Sequence, residues 1–189
     1  MAKFNTAFSK TLLHEGKYVN DFQDKGGETY KGIARNFHKN WRGWDIIDAF
    51  KDIPMFPENL ENSSDLKTLV KEIYKTKYWD CIKLSSFNSQ IIADELFDTA
   101  VNMGPGTAAR FLQKALNLLN RNQKNYADLV VDATIGAKTL EAVSLCNSTK
   151  LNTALNLLQG ERYMKIVRKN PSQERFFNGW LNRVLITKN

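Results

Sequence analysis

Phe8, Thr11, Leu12 and Glu15 stand at i, i+3, i+4 and i+7, so a helix through them sets a carboxylate on the same face as an apolar stripe. Apolar surroundings disfavour the charged form of a glutamate, and the negative end of the helix dipole, near the stop at Gly16, acts in the same direction. A carboxylic acid kept protonated near neutral pH is what protonating a glycosidic oxygen requires. Periodicity also admits a plainer reading, in which the Glu15 side chain bends back to solvent at a helix end.

Cleaving a glycosidic bond usually calls on a second carboxylate, which assists water or stabilises positive charge across the sugar ring. Asp21 and Asp24 are the nearby candidates, and both fall in a polar stretch rich in turn formers, where an aspartate stays ionised. Two carboxyl groups whose environments push them to opposite protonation states make an acid and its partner. Thr29, beyond Gly26-Gly27, has a hydroxyl suited to positioning water. In an arbitrary sequence the same Asp and Gly residues are more often simple turn formers. The carboxyl separation would decide the stereochemistry, about 5–5.5 Å for retention and about 6.5–9.5 Å for inversion.

Apolar residues recur at helical spacing along nearly all of the chain, which predicts a mainly α protein. Phe4, Phe8 and Leu12 mark a first helix. Tyr18 to Ile33, broken by Asn20-Asp21 and Gly26-Gly27, predicts a loop or short β-hairpin. Short helices are expected from Ile33 to Trp41 and around Asp45–Lys51, ahead of Pro54 and Pro57. Asp65–Trp79 and Ser89–Met103 are stronger, the latter apolar over a wide arc through Ile92, Ala93, Leu96, Phe97, Ala100 and Val101. Thr107 is expected to cap a helix carrying Phe111, Leu112, Ala115 and Leu116. Val131–Gly136 reads as a turn opening a helix through Leu140 and Val143, and two long helices are read over Leu151–Arg168 and from Ser172 to Ile186 behind Asn170-Pro171.

Composition narrows the chemistry. The 189 residues suit one compact domain or two small ones, and the formal charge of +7 implies an anionic partner. His14 and His38 come with no HExxH or Cys/His cluster, so no metal and no cofactor are expected. Cys81 and Cys146 are too few for a disulfide framework and are expected to be small buried hydrophobes. No signal peptide and no membrane span is read, so the chain is expected to be made in the cytoplasm and to reach the periplasm or cell wall by a route supplied from elsewhere.

The run His14-Glu-Gly-Lys-Tyr-Val-Asn-Asp-Phe-Gln-Asp-Lys-Gly-Gly-Glu-Thr-Tyr-Lys-Gly-Ile-Ala34 resembles the signature of glycoside hydrolase family 108, and Leu96-Phe-Asp-Thr-Ala-Val-Asn-Met-Gly104 is similar to its second recurrent segment. Val131-Asp-Ala-Thr-Ile-Gly-Ala-Lys-Thr-Leu140 and Gln173-Glu-Arg-Phe-Phe-Asn-Gly-Trp-Leu-Asn-Arg-Val184 resemble the peptidoglycan-binding module that commonly follows. Lys17, Phe22 and Ala34 depart from the family's usual glycine, proline and threonine. Some members of the family are described as secretion activators, and many come from phages.

The resemblance implies a lysozyme-like, orthogonal helical fold and an N-acetylmuramidase that cuts the β-1,4 bond between N-acetylmuramic acid and N-acetylglucosamine. It carries the proton donor to Glu15, and a looser likeness to phage-type lysozymes carries the second and third roles to Asp24 and Thr29, with Asp21 as a competitor for Asp24. Asp21, Tyr30, Asp98 and Asn102 are candidate substrate contacts, and Trp41 and Trp44 are possible sugar platforms that are more often core. A catalytic lobe over residues 1–95 and a helical wall-binding lobe over 96–189 are expected, packed as one compact, monomeric unit. Peptidoglycan is the expected partner, with no nucleic acid and no stable membrane insertion. The rival reading is a non-catalytic wall-binding protein that assists secretion, favoured by Lys17 and Phe22.

Overall fold

The computed structural model describes residues 1–12, 16–21 and 26–184. The fold is mainly α and lysozyme-like in class, with one small antiparallel sheet after the first helix. The chain divides into two compact units. One comprises residues 8–76; the other joins residues 1–7 to everything from Lys77 onward.

The smaller unit begins in α1 (Phe4–Leu12), where the ring edge of Phe8 meets Tyr74 at 5.6 Å and Thr11 is buried, as the i, i+3 spacing predicts. Strands β1 (Tyr18–Asn20), β2 (Glu28–Tyr30) and β3 (Ile33–Ala34) follow in the order β1-β2-β3, with Tyr18 opposite Tyr30 and Tyr30 opposite Ile33. Lys31 and Gly32 form the two-residue β2–β3 turn with φ of 47° and 75°, the two positive angles of a type I′ turn. Tyr74 donates its hydroxyl to the Lys31 carbonyl at 2.8 Å and Lys31 pairs with Glu61 at 2.7 Å, so the turn is held from outside the sheet.

The helix expected over Ile33–Trp41 is not formed. Ile33 and Ala34 pair with β2 instead, and turns carry the chain to Trp41, with Phe37 and His38 bonding back to Ala34. Helix α2 (Gly43–Phe50) buries Trp44 and Ile47. A 3-10 turn at Glu58–Asn62 leads to Ser63, whose hydroxyl accepts from Leu66 N at 3.2 Å and caps α3 (Ser64–Tyr74).

In the larger unit Phe4, Trp79 and Phe97 meet edge to face with centroids 5.6–5.7 Å apart. Around them lie α4 (Gln90–Met103), α5 (Pro105–Leu119), α6 (Ala137–Leu145), α7 (Ser148–Lys169) and α8 (Glu174–Leu181). Helix α5 starts at Pro105 rather than behind Thr107, because Gly104 at φ 89° ends α4 and proline is favoured at a first helical position. Residues 95 and 96 lie mid-helix in α4, which packs on both α5 and α7. Neither cysteine is fully buried. Cys81 is exposed because its 3-10 turn uses Trp79 and Ile82 for the core, and Cys146 is half-buried at the end of α6. Among the described residues no helix is long and apolar enough to cross a membrane, and no group of acids, histidines and cysteines could hold a metal.

Candidate active site

Glu15 and Asp24 lie outside the described residues, as do His14 and Phe22. What the structure gives is the frame on either side of them. Asp21 is exposed directly after β1. The chain re-enters at Gly26, whose carbonyl accepts from Asn36 N at 3.2 Å, and Gly27 follows at φ 63°. The angle calls for glycine here, and a Cβ at Gly27 would also lie 2.9 Å from Asn36 Nδ2 and displace that side-chain amide.

Strand alternation then sorts β2. Glu28 and Tyr30 are buried, while Thr29 is half-buried on the opposite face, paired across with the exposed Val19. The Thr29 hydroxyl donates to the Gly27 carbonyl at 3.1 Å, leaving its oxygen lone pairs available as acceptors. Tyr30 is 1% exposed, which removes its ring as a sugar platform, and burial together with the Glu61 charge pushes its hydroxyl up to about 12. Trp44 is likewise core. Trp41 is half-buried and stands edge-on to it at 5.1 Å.

The residue that sequence reasoning passed over is Glu28. Its carboxylate accepts from the Tyr18 hydroxyl at 2.8 Å and lies 2.9 Å from Lys51 Nζ and 3.1 Å from Arg35 Nε. Arg35 and Lys51 each also reach Asp48 at 2.7 Å, and the Arg35 guanidinium lies over the Trp44 ring at 4.6 Å. Two acids and two bases thereby tie β1, β2, the residue after β3 and the end of α2 into one network. The Arg35 hydrogen bond, then that of Lys51, holds Asp48 below the usual carboxylate range despite burial. Burial works against the Lys51 charge, yet its bonds to Asp48 and Glu28 together raise it. Burial and the Glu28 carboxylate push Tyr18 up to about 12. The only sequence signal for Glu28 is its place two residues before Tyr30, on the inward side of a strand.

Asp98 and Asn102 lie in the larger unit and face α7. Asp98 pairs with Arg183 at 2.8 Å and accepts from Gln159 at 3.4 Å; Asn102 donates to the Tyr163 hydroxyl. Glu95, Asp98, Thr99 and Asn102 fall at i, i+3, i+4 and i+7, and meet Asn156, Gln159 and Tyr163 in parallel register. Glu95 accepts from Asn156 at 3.1 Å and from Thr99 at 3.3 Å, and burial, then the Asp98 charge, raises it to about 8. It has the protonation state of a catalytic acid without the access, because α7 covers it. A raised acid alone does not mark an active site.

The run Val131–Leu140 has its own local logic. The Asp132 carboxylate accepts from Thr134 N and from Gln113 Nε2, both at 2.8 Å, while Ala133 sits at φ 70° with its amide donated to Gln113 Oε1 at 3.0 Å. Gln113, buried in α5, thus clamps the turn that opens α6.

Comparison with known proteins adds three findings. The family described as Glycosyl hydrolase 108 matches residues 8–104, and the Predicted Peptidoglycan domain matches residues 107–185. A solved structure of Brucella abortus SagA is similar to this chain with a TM-score of 0.63 at 24% identity, covering 96% of this chain and 88% of that one. No curated protein matches. The two family segments meet at Gly104–Gly106, yet α4 from the first and α5 and α7 from the second share one compact unit.

Proposed function

The chain belongs to the glycosyl hydrolase 108 family and is a glycosidase that acts on peptidoglycan; from that premise we propose that it is an N-acetylmuramidase, cutting between N-acetylmuramic acid and N-acetylglucosamine with Glu15 as proton donor. Asp24 is the ionised partner, with Asp21 the neighbour able to take that part, and Thr29 orients water. Cleavage is assigned to residues 8–104 and wall holding to residues 107–185. On this reading the protein works as a monomer in the periplasm or cell wall, which it reaches by a route that another component supplies.

The observation that carries the reading is the sorting of β2. Its Glu28 and Tyr30 side is closed by the core, which leaves Thr29 on the sheet's open side, across from the exposed Val19. The Glu28 network holds that strand from behind. A strand that turns a hydroxyl away from the core suits the orientation of water.

The test is release of new reducing ends from purified peptidoglycan by the wild type and by Glu15→Gln, each shown to be folded. Wild-type release that falls about a thousandfold in the variant supports the assignment. If neither protein releases ends while both bind the wall, the non-catalytic wall-binding reading replaces it.

A further inference from the structure

Charge is distributed very unevenly along this chain. Residues 1–106 hold 14 lysines and arginines against 15 aspartates and glutamates, whereas residues 107–185 hold 12 against 5. The whole positive excess therefore belongs to the segment matched by the peptidoglycan domain. We propose that the exposed face shared by α5 and α7, centred on Lys114, Lys165 and Arg168, is where this protein grips the wall, and that it grips the carboxylates of the peptide stems carried by the glycan strands. This rests on the peptidoglycan reading above and adds the surface and the chemical group.

Arg110, Lys114 and Leu118 follow one another at four-residue steps along α5 and are all exposed. On α7, Leu157, Glu161, Lys165 and Arg168 likewise share an exposed stripe. The two stripes adjoin. Glu161 is held below the usual carboxylate range first by Lys165, 2.6 Å away, and then by the charges of Lys114 from α5 and Arg168. The face thus already stabilises one carboxylate, and its three cations leave positive charge over for others. Leu118, at 74% exposure, and Leu157, at 57%, stand between the charges as single apolar contacts, and the apolar residues that order α5 and α7 are turned into the core. That pattern suits a polyanion with short aliphatic side chains better than insertion into lipid, which needs a continuous apolar stripe.

The binding test uses the full chain carrying Glu15→Gln, so that the sacculi are not digested. Cosedimentation with purified sacculi is compared for this protein, for Lys114→Glu/Lys165→Glu/Arg168→Glu, and for a control with the same change in net charge, Lys39→Glu/Lys67→Glu/Lys71→Glu, whose positions are exposed in the smaller unit. The face variant is expected to bind about tenfold more weakly or worse, and the control within about twofold of the parent. The matching Lys114→Gln/Lys165→Gln/Arg168→Gln chain, which adds no repulsion, should fall between. Converting the wall carboxylates to amides should abolish parental binding.

Equal loss in the face variant and the control overturns the proposal, as does undiminished binding to amidated sacculi. So does a face variant that binds sacculi normally but loses binding to anionic lipid vesicles, which would make the face a membrane contact. If the parent does not bind sacculi at all, the proposal also fails. Release of reducing ends by the wild type then shows separately whether the glycosidase reading stands.

Discussion

The two units satisfy their buried polar groups by opposite means. In the hairpin unit Glu28 is buried against Arg35 and Lys51, which share Asp48, so charge answers charge and the network sums to zero. In the helical unit α4 and α7 meet through amides, hydroxyls and one protonated acid, and the only charge pair in that seam among the described residues is Asp98 with Arg183. Ion pairs hold the short strand β2 in place, and a mostly neutral seam holds α4 against α7. The two designs also carry opposite pH liabilities. Asp48 is lowered, so the stability it contributes is present above its ordinary value of 3.8 and is lost as pH falls through the native value. Glu95 is raised, so its contribution is full below its ordinary 4.5 and is lost as pH climbs through about 8.

The largest expected effect comes from breaking the charged network. Glu28→Ala leaves two cations facing a single carboxylate and should destabilise the hairpin unit by about 2–3 kcal/mol, less than a fully buried pair because Arg35 and Lys51 remain partly exposed. Amide hydrogen exchange should accelerate in residues 16–21 and 26–36 and stay unchanged in α4 and α7. Acceleration throughout the chain would show that the two units do not differ in this way. Glu28→Gln keeps an acceptor for Tyr18 but no charge, and should recover less than half of the loss.

The seam responds next. Thermal unfolding of the wild type should show the α4–α7 unit weakening as pH climbs from about 5 through about 8, as Glu95 is forced to ionise inside the protein. Glu95→Gln presents a neutral side chain of the same size and should flatten that slope. A variant with the wild-type slope would mean that another group titrates there.

The smallest effect sharpens the picture of the hairpin. Lys31 occupies a left-handed position at φ 47° that glycine takes without strain, at the expense of its ion pair with Glu61. Lys31→Gly should therefore gain only about 0.5 kcal/mol in urea denaturation, the relief slightly exceeding a half-exposed pair. A loss of more than about 1 kcal/mol would show that Glu61 anchors the turn.

Much of this architecture was legible from residue order. The breakers Asn20-Asp21 and Gly26-Gly27 announce the hairpin, and the wide apolar arc of α4 announces a helix packed on several sides. The third strand was not legible, because Ile33, Phe37 and Trp41 fall at helical spacing and only pairing with β2 overrides it. Tyr30, Trp44, Asp98 and Asn102 illustrate a common limit: residue type names the chemistry a side chain can do, while the face it occupies decides whether it does it. Glu28 and Glu95 were invisible for a related reason. Their partners on other elements lie 7 to 23 and 61 residues away, distances at which no local pattern marks a pair.

The parallel seam between α4 and α7 bears on the order of events during synthesis. Its bonded pairs are separated by 61 residues, and Ala2 and Lys3 bond to Phe87 and Gln90. Residues 8–76 are therefore an insertion between two pieces of the other unit, complete in sequence long before that unit has all its parts. A ribosome that has released residues up to Thr76 has supplied everything the hairpin unit uses. The polar face of α4 must wait for another 60 residues after its last residue, Met103, until Tyr163 emerges. Contacts this distant in sequence form late and slowly. The nascent chain consequently passes through an interval in which the hairpin unit has all its residues and the helical unit is still open.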